Sequence, residues 1–185
     1  MKRIALPAKH NPITLRRVAI VAAALLILFA TARALEVPYL SGRVNDTAHM
    51  LSAATVTELE AMLSAYQDST GNQIVLLTIA SLEGESLEEF SLRVAETWKL
   101  GQKGVDNGAL LLIARNDRKL RIEVGYGLEG SLTDAMTSYI INNVITPRFK
   151  QGEFEEGIRE GLSTIIRATD GTIGESDITS SGGDF

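Results

Sequence analysis

Cysteine is absent from the 185 residues. That excludes a disulfide framework, a thiolate metal centre and a cysteine nucleophile. Histidine is nearly absent: after the first 34 residues His49 stands alone. Zinc sites built on several imidazoles, and the paired histidines of common phosphatases, are therefore excluded as well. No G-x-S-x-G elbow or P-loop is present. Gly125-Tyr126-Gly127 follows a strand but bears only a superficial likeness to a phosphate loop. His49 reads as a solvated residue flanking a helix rather than a catalyst.

Acid is missing only locally. The first 34 residues hold six bases (Lys2, Arg3, Lys9, Arg16, Arg17, Arg33) and no Asp or Glu, in a chain with 18 Lys and Arg against 23 Asp and Glu. From Leu35 onward 12 bases face 23 acids, a net charge near −11. A body that acidic is poorly suited to neutralising phosphates, so no nucleic-acid partner is expected. It suits a hard cation.

Residues 1–34 read as an address. A basic lead with Pro7 and Pro12 runs into the apolar stretch Val18 to Ala30, and Ala32-Arg33-Ala34 supplies an A-x-A pattern. Those are the three parts of a secretory signal. The apolar stretch is shorter than the roughly 20 residues of a comfortable span. Cleaved signal and retained N-terminal anchor both stay open. Either reading exports the body to the periplasm or another extracytoplasmic space, with membrane contact only through an uncleaved N-terminal segment.

Residues 35–169 read as one domain. The apolar spacing Val56, Leu59, Leu63, Tyr66 predicts a helix from Ser52 to Gly71. Gln73 to Ala80 is apolar on both parities, as a strand covered on both faces would be. Ser86 with Glu89 predicts a capping box for a helix that stops at Gly101. Gly108 to Ala114 is a second buried strand. Arg115 to Arg118 supplies a turn, and Lys119 to Tyr126 alternates as a half-exposed strand hairpinned to it. A helix from Ser131 is expected to end before Pro147. Another, from Glu153 to Ala168, carries Gly157 and Gly161 for a close approach to the sheet. Glu153, Glu155 and Glu156 read as its solvated start. Residues 170–185, rich in Gly, Ser, Thr and acid, read as a flexible tail. The expected fold class is α/β: a three-layer α/β/α sandwich around a small mixed sheet, with a right-handed parallel crossover between the first two strands.

The hairpin carries the candidate site. It brings the Val105 to Gly108 loop beside Tyr126 to Glu129 at one end of the sheet, and the next helix starts a few residues later. Asp106, Glu129 and Asp134 are thus expected to share a small volume, with Asn107 and loop carbonyls around them. Carboxylates placed so close must take a proton, separate or bind a cation. Oxygen ligands on loops favour Ca²⁺ or Mg²⁺. The plainer reading makes Asp134 a helix-start charge and Asp106-Asn107-Gly108 a turn. Asp46, Glu83 and Glu85 are expected at the opposite end.

Several segments resemble a known family: Gly42 to Asp46, Thr70 to Ile74, Trp98 to Lys103, Asp106 to Gly108, and Gly125-Tyr126-Gly127-Leu128-Glu129-Gly130 through Leu132-Thr133-Asp134. From about Val37 to Ala168 the chain is similar to the TPM domain, which includes the thylakoid-lumen acid phosphatase, photosystem II repair proteins and bacterial envelope proteins. The resemblance implies an α/β/α sandwich outside the cytoplasm and divalent-cation binding in some members. Bacterial relatives often carry a transmembrane segment and a long glycine-rich tail after the domain. Here only a short one, Gly171 to Phe185, is found. Two functions are expected from this. The first is a non-catalytic, cation-binding module that contacts an envelope or membrane protein in assembly or quality control. The second is a Ca²⁺- or Mg²⁺-dependent acid phosphatase with Asp106 or Asp134 as nucleophile or base, and the Gly125 to Gly130 amides and Lys103 as phosphate donors.

Overall fold

The chain divides after Ala34. A computed structural model describes residues 34–180, all but Ala34 in the second unit, so the signal or anchor up to residue 33 and the last five residues lie outside the described residues. Four strands order as β1 (Val44–Asp46), β2 (Gln73–Ile79), β3 (Gly108–Ala114) and β4 (Lys119–Val124). β1 and β2 are parallel, as are β2 and β3, while β3 and β4 form the antiparallel hairpin. The sheet is therefore mixed, as expected. β1 was not foreseen. Its three residues are too few to show a period, and Val44 and Asn45 are held by pairing with Leu76 and Leu77.

Burial follows the sequence pattern. All seven residues of β3 are buried, and six of seven in β2, whereas in β4 only Ile122 is. Two cores result. Ile74, Leu76, Leu111, Ile113 and Ile122 join Leu59, Leu63, Met136, Ile158 and Leu162 on one face. Val75, Leu77, Leu110 and Leu112 join Phe90 and Val94 on the other. The first face is covered by α1 (Ala53–Thr70) and α5 (Phe154–Thr169), with α3 (Asp134–Tyr139), a wider turn (Ile140–Ile145) and α4 (Thr146–Lys150) preceding α5 in the chain, the turn and α4 packing against it. The second is covered by α2 (Leu87–Trp98). This is the three-layer sandwich. Among the described residues, no helix is long and apolar enough to cross a membrane.

The local signals act largely as read. Ser52 accepts the Thr55 amide and Gly71 closes α1 at φ 79° with its amide on the Gln67 carbonyl. Ser86 accepts the Glu89 amide, but the reciprocal partner of its hydroxyl is Glu88 at 2.8 Å. α2 ends at Lys99, held left-handed at φ 52°, two residues before the expected Gly101.

Four expectations are corrected. The helix from Asp134 does not end before Pro147. The Thr146 amide reaches back five residues to the Ile141 carbonyl, and this wider turn lets Pro147 enter at the first turn of α4, where its missing N–H is not needed. Gly157 and Gly161 approach α4 and the wide turn, not the sheet: added Cβ atoms would meet the Phe149 ring at 2.8 Å and the Ile145 side chain at 2.6 Å. Tyr126 leaves the strand alternation to open a 3-10 turn (Tyr126–Leu128) and is 80% exposed. Within the expected tail, α6 (Glu175–Ser180) forms; Ile173 and Ile178 pack on the larger core, and the Thr133 hydroxyl bonds Glu175 at 2.5 Å. Two isolated isoleucines are too sparse to register as a period.

Candidate functional site

The hairpin brings the two expected loops together through their main chains. The Gly125 amide donates to Gly108 at 2.8 Å and the Gly127 amide to the Asp106 carbonyl at 3.1 Å. The approach demands glycine: a Cβ would lie 2.1 Å from the Asp106 oxygen at Gly125, and 2.2 Å from the Val105 oxygen at Gly127. Leu128 is buried and anchors the loop, while Leu132 is buried at the entry to α3. Thr133 then caps α3 by accepting the Met136 amide at 3.2 Å. Glu129 and Asp134 are held by this frame.

Both acids line one cleft of about 620 Å³. Its floor is β4 from Leu120 to Val124, and Glu88 of α2 and Glu123 add two more carboxylates. Neither the Glu129 nor the Asp134 carboxylate is engaged by a hydrogen bond or ion pair, and both residues are exposed. Glu88 is held below the usual carboxylate range by its own amide first, then by the Ser86 hydroxyl, with Arg121 and Lys119 contributing from a distance. Glu123 pairs with Arg121 at 2.7 Å and accepts the Ser91 hydroxyl at 2.7 Å.

The other two expected ligands are placed differently. Asn107 is only 6% exposed, and its amide is consumed by the loops themselves. Its nitrogen donates to Gly71 at 2.8 Å and to Asn72 at 3.1 Å, and its oxygen accepts the Gln102 amide at 2.8 Å. It clamps its own loop to the turn between α1 and β2. Asp106 is exposed in a left-handed conformation at φ 53°, and its backbone carbonyl, not its carboxylate, makes the contact with the Gly125–Gly127 loop. It does not line the cleft. Among the described residues, no three Asp, Glu or His side chains are gathered to hold a metal ion. The expected convergence of three carboxylates thus reduces to the pair Glu129 and Asp134. Chain reversal fixes where backbones meet, and side-chain direction is settled by the loop conformation.

The far end of the sheet carries opposite charge. A second cavity of about 510 Å³ is lined by Arg115, Arg118, Lys119 and Lys150 over Phe149 and Phe154. Asp46 also lies at that end, where its carboxylate accepts the Met50 and Leu51 amides at 3.0 and 2.9 Å and the Thr78 hydroxyl. His49 is exposed, in the turn just before α1, at φ 52°. Sequence reasoning missed this segregation because the bases come from two distant segments. It also missed Glu88 and Glu123 as cleft residues, although the alternation of Lys119 to Val124 already marked β4 as half-open.

The model of the TPM domain matches residues 44–168. The chain belongs to the TPM-domain family. Its solved relatives share the architecture. The N-terminal domain of a protein from P. gingivalis is 34% identical, with a TM-score of 0.69 over 76% of this chain and 94% of that one. The N-terminal domain of a Corynebacterium glutamicum protein is 18% identical, with a TM-score of 0.56 over 76% and 89%. The BA42 protein of the psychrophilic bacterium Bizionia argentinensis is 19% identical, with a TM-score of 0.58 over 69% and 87%. The last two likenesses concern the fold alone. Comparison with curated proteins gives no match. In this TPM domain the glycine-rich stretch Gly125 to Gly130 is the segment that joins the hairpin to the acidic cleft.

Proposed function

We propose that this TPM domain is a divalent-cation-binding interaction module of the cell envelope, working outside the cytoplasm on a protein partner. The observation that carries the reading is the pair of unengaged carboxylates, Glu129 and Asp134, at one cleft that also holds Glu88 and Glu123. Two exposed carboxylates, with loop carbonyls and water completing the shell, fit Ca²⁺ or Mg²⁺ better than zinc. With no third acid gathered beside them among the described residues, the fit is to a weakly held ion. Affinity of about 10⁻³ M, the range of extracellular calcium modules, is expected. Such an ion neutralises the cleft while a partner docks.

Acid phosphatase chemistry draws less support from the same geometry. A phosphate dianion needs cationic donors beside the nucleophile. Here Arg115, Arg118, Lys119 and Lys150 collect at one end of the hairpin, while Glu129 and Asp134 lie at the other. Lys103 is exposed on the loop before Asp106 and is not part of the cleft.

Calcium titration followed by backbone amide shifts tests the reading. Saturable shifts are expected at residues 127–134, weakened at least five-fold by Glu129→Gln or Asp134→Asn. Absence of shifts there, or calcium-dependent hydrolysis of a phosphomonoester abolished by Asp134→Asn, would overturn it.

A further inference from the structure

β4 is the last strand of the sheet and pairs only with β3. In an antiparallel ladder, alternate residues turn their N–H and C=O groups toward the partner strand and away from it. The Gly125 amide bonds Gly108, so the pairs that share its parity (Glu123, Arg121, Lys119) face β3. Leu120, Ile122 and Val124 turn their main chains outward. No hydrogen bond satisfies those six groups among the described residues. Their side chains meanwhile pack on the larger core. The strand is thus fixed in place by its side chains and open along its backbone.

Natural sheets blunt such edges with bulges, proline, charged side chains or covering segments. β4 carries Lys119, Arg121 and Glu123, but it has no proline and pairs in unbroken register over all six residues. Its edge lies at the bottom of the 620 Å³ cleft, whose walls are the start of α2 on one side and α3 on the other. Five residues of β4, about 17 Å of strand, line it. A groove floored by unpaired backbone and walled by helices has the shape that accepts one more strand.

Its lining identifies the occupant. On the α3 side the half-buried Ile141 offers apolar contact; around the edge stand Glu88, Glu123, Glu129 and Asp134 against Arg121, which is taken by Glu123, and Lys119 at the start of the strand. A second copy of this edge would bring like charge to like charge. A lysine- or arginine-bearing segment would not. We propose that β4 takes an extended, basic segment of a partner polypeptide as a fifth strand, with main-chain bonds to Leu120, Ile122 and Val124, alternate apolar side chains toward Ile141, and basic side chains beside the carboxylates. This deepens the interaction-module reading and rests on it, but not on the bound cation.

The test uses the full 185-residue chain in EDTA and blocked hexapeptides of three kinds, four peptides in all. One alternates valine and lysine. One is the same peptide N-methylated at alternate residues, in both registers, which keeps charge and shape but removes main-chain donors. One carries glutamate for lysine. The first is expected to shift amides 119–125 saturably and to slow hydrogen exchange at Leu120, Ile122 and Val124. The methylated peptides are expected to bind at least ten-fold more weakly without that protection, and the glutamate peptide not to bind. Methylated peptides binding within two-fold of the parent would overturn strand addition and leave an interaction module attracting polycations. No binding by any peptide would overturn the proposal, and calcium titration would report separately on the cation. Protection that rises with protein concentration alone would make a second copy the occupant, and would also overturn it.

Discussion

Asp106 and Gly127 are joined main chain to main chain, the Gly127 amide donating to the Asp106 carbonyl at 3.1 Å, in a contact so close that a Cβ on Gly127 would sit 2.2 Å from the neighbouring Val105 oxygen. Backbone cannot yield as a flexible side chain can. Gly127→Ala is therefore expected to lower stability by about 3 kcal/mol, as overpacking against main chain does. Gly130 meets nothing within 4 Å. Gly130→Ala should stay within about 0.5 kcal/mol of the parent. Urea denaturation of the two variants makes the comparison, and equal stabilities would mean the loops are not locked.

Asn107 gives a second prediction. Its buried amide serves Gly71, Asn72 and Gln102 at once. Asn107→Ala leaves those loop groups without their partner, so a loss of about 1–3 kcal/mol is expected. Calcium-induced shifts at Glu129 and Asp134 should persist in the folded fraction. Loss of the calcium response with stability intact would restore Asn107 as a ligand.

These two residues show where the sequence was informative. Asp106, Asn107 and the Gly125 to Gly130 stretch were placed at one end of the sheet by hairpin logic alone, because pairing Ala109 with Val124 obliges the flanking loops to meet. Strand and helix assignments held where apolar periodicity was long: β2, β3, α1 and α5. Legibility failed where one residue decides the outcome. The left-handed Asp106, the five-residue reach of the Thr146 amide, and the three-residue β1 carry no period. Asn107 is ambiguous in the sequence for a physical reason. An amide beside acids suits a cation, but the same amide suits three bare loop groups, and burial decided between them.

Acid sensitivity follows from the carboxylates that tie helices together. The Thr55 hydroxyl, donating at 2.7 Å, and then the Ser52 amide hold Glu155 below its ordinary value, joining α5 to the start of α1. The Arg159 hydrogen bond lowers Glu58 in the same way. At Glu85 burial pushes upward, but Arg93 and the Leu35 amide outweigh it. In each case the folded form binds its proton less readily than the unfolded chain. The stabilisation is therefore full above the unfolded value near 4.5 and disappears as pH falls through the lowered folded values. Urea midpoints should be flat from pH 7 to about 5 and then drop. Glu155→Gln should make that drop shallower. An unchanged pH profile in the variant would show that Glu155 contributes nothing to it.

Gly161 tests how α5 lies against the wide turn. An alanine there would gain about 1 kcal/mol of helix propensity. Its Cβ would also meet the Cδ1 and Cγ1 atoms of Ile145 at 2.6 Å, inside the larger core. Crowding of that kind costs about 1–3 kcal/mol, so Gly161→Ala is expected to lose about 1 kcal/mol net. Ile145→Val removes one of the two clashing carbons and on its own should cost about 1 kcal/mol. If the close approach is what requires glycine, the double variant will be more stable than the sum of the single losses predicts, and a double-mutant cycle by urea denaturation reads that coupling. Strict additivity would mean that α5 shifts away to accept the methyl group, and that the contact does not fix its position.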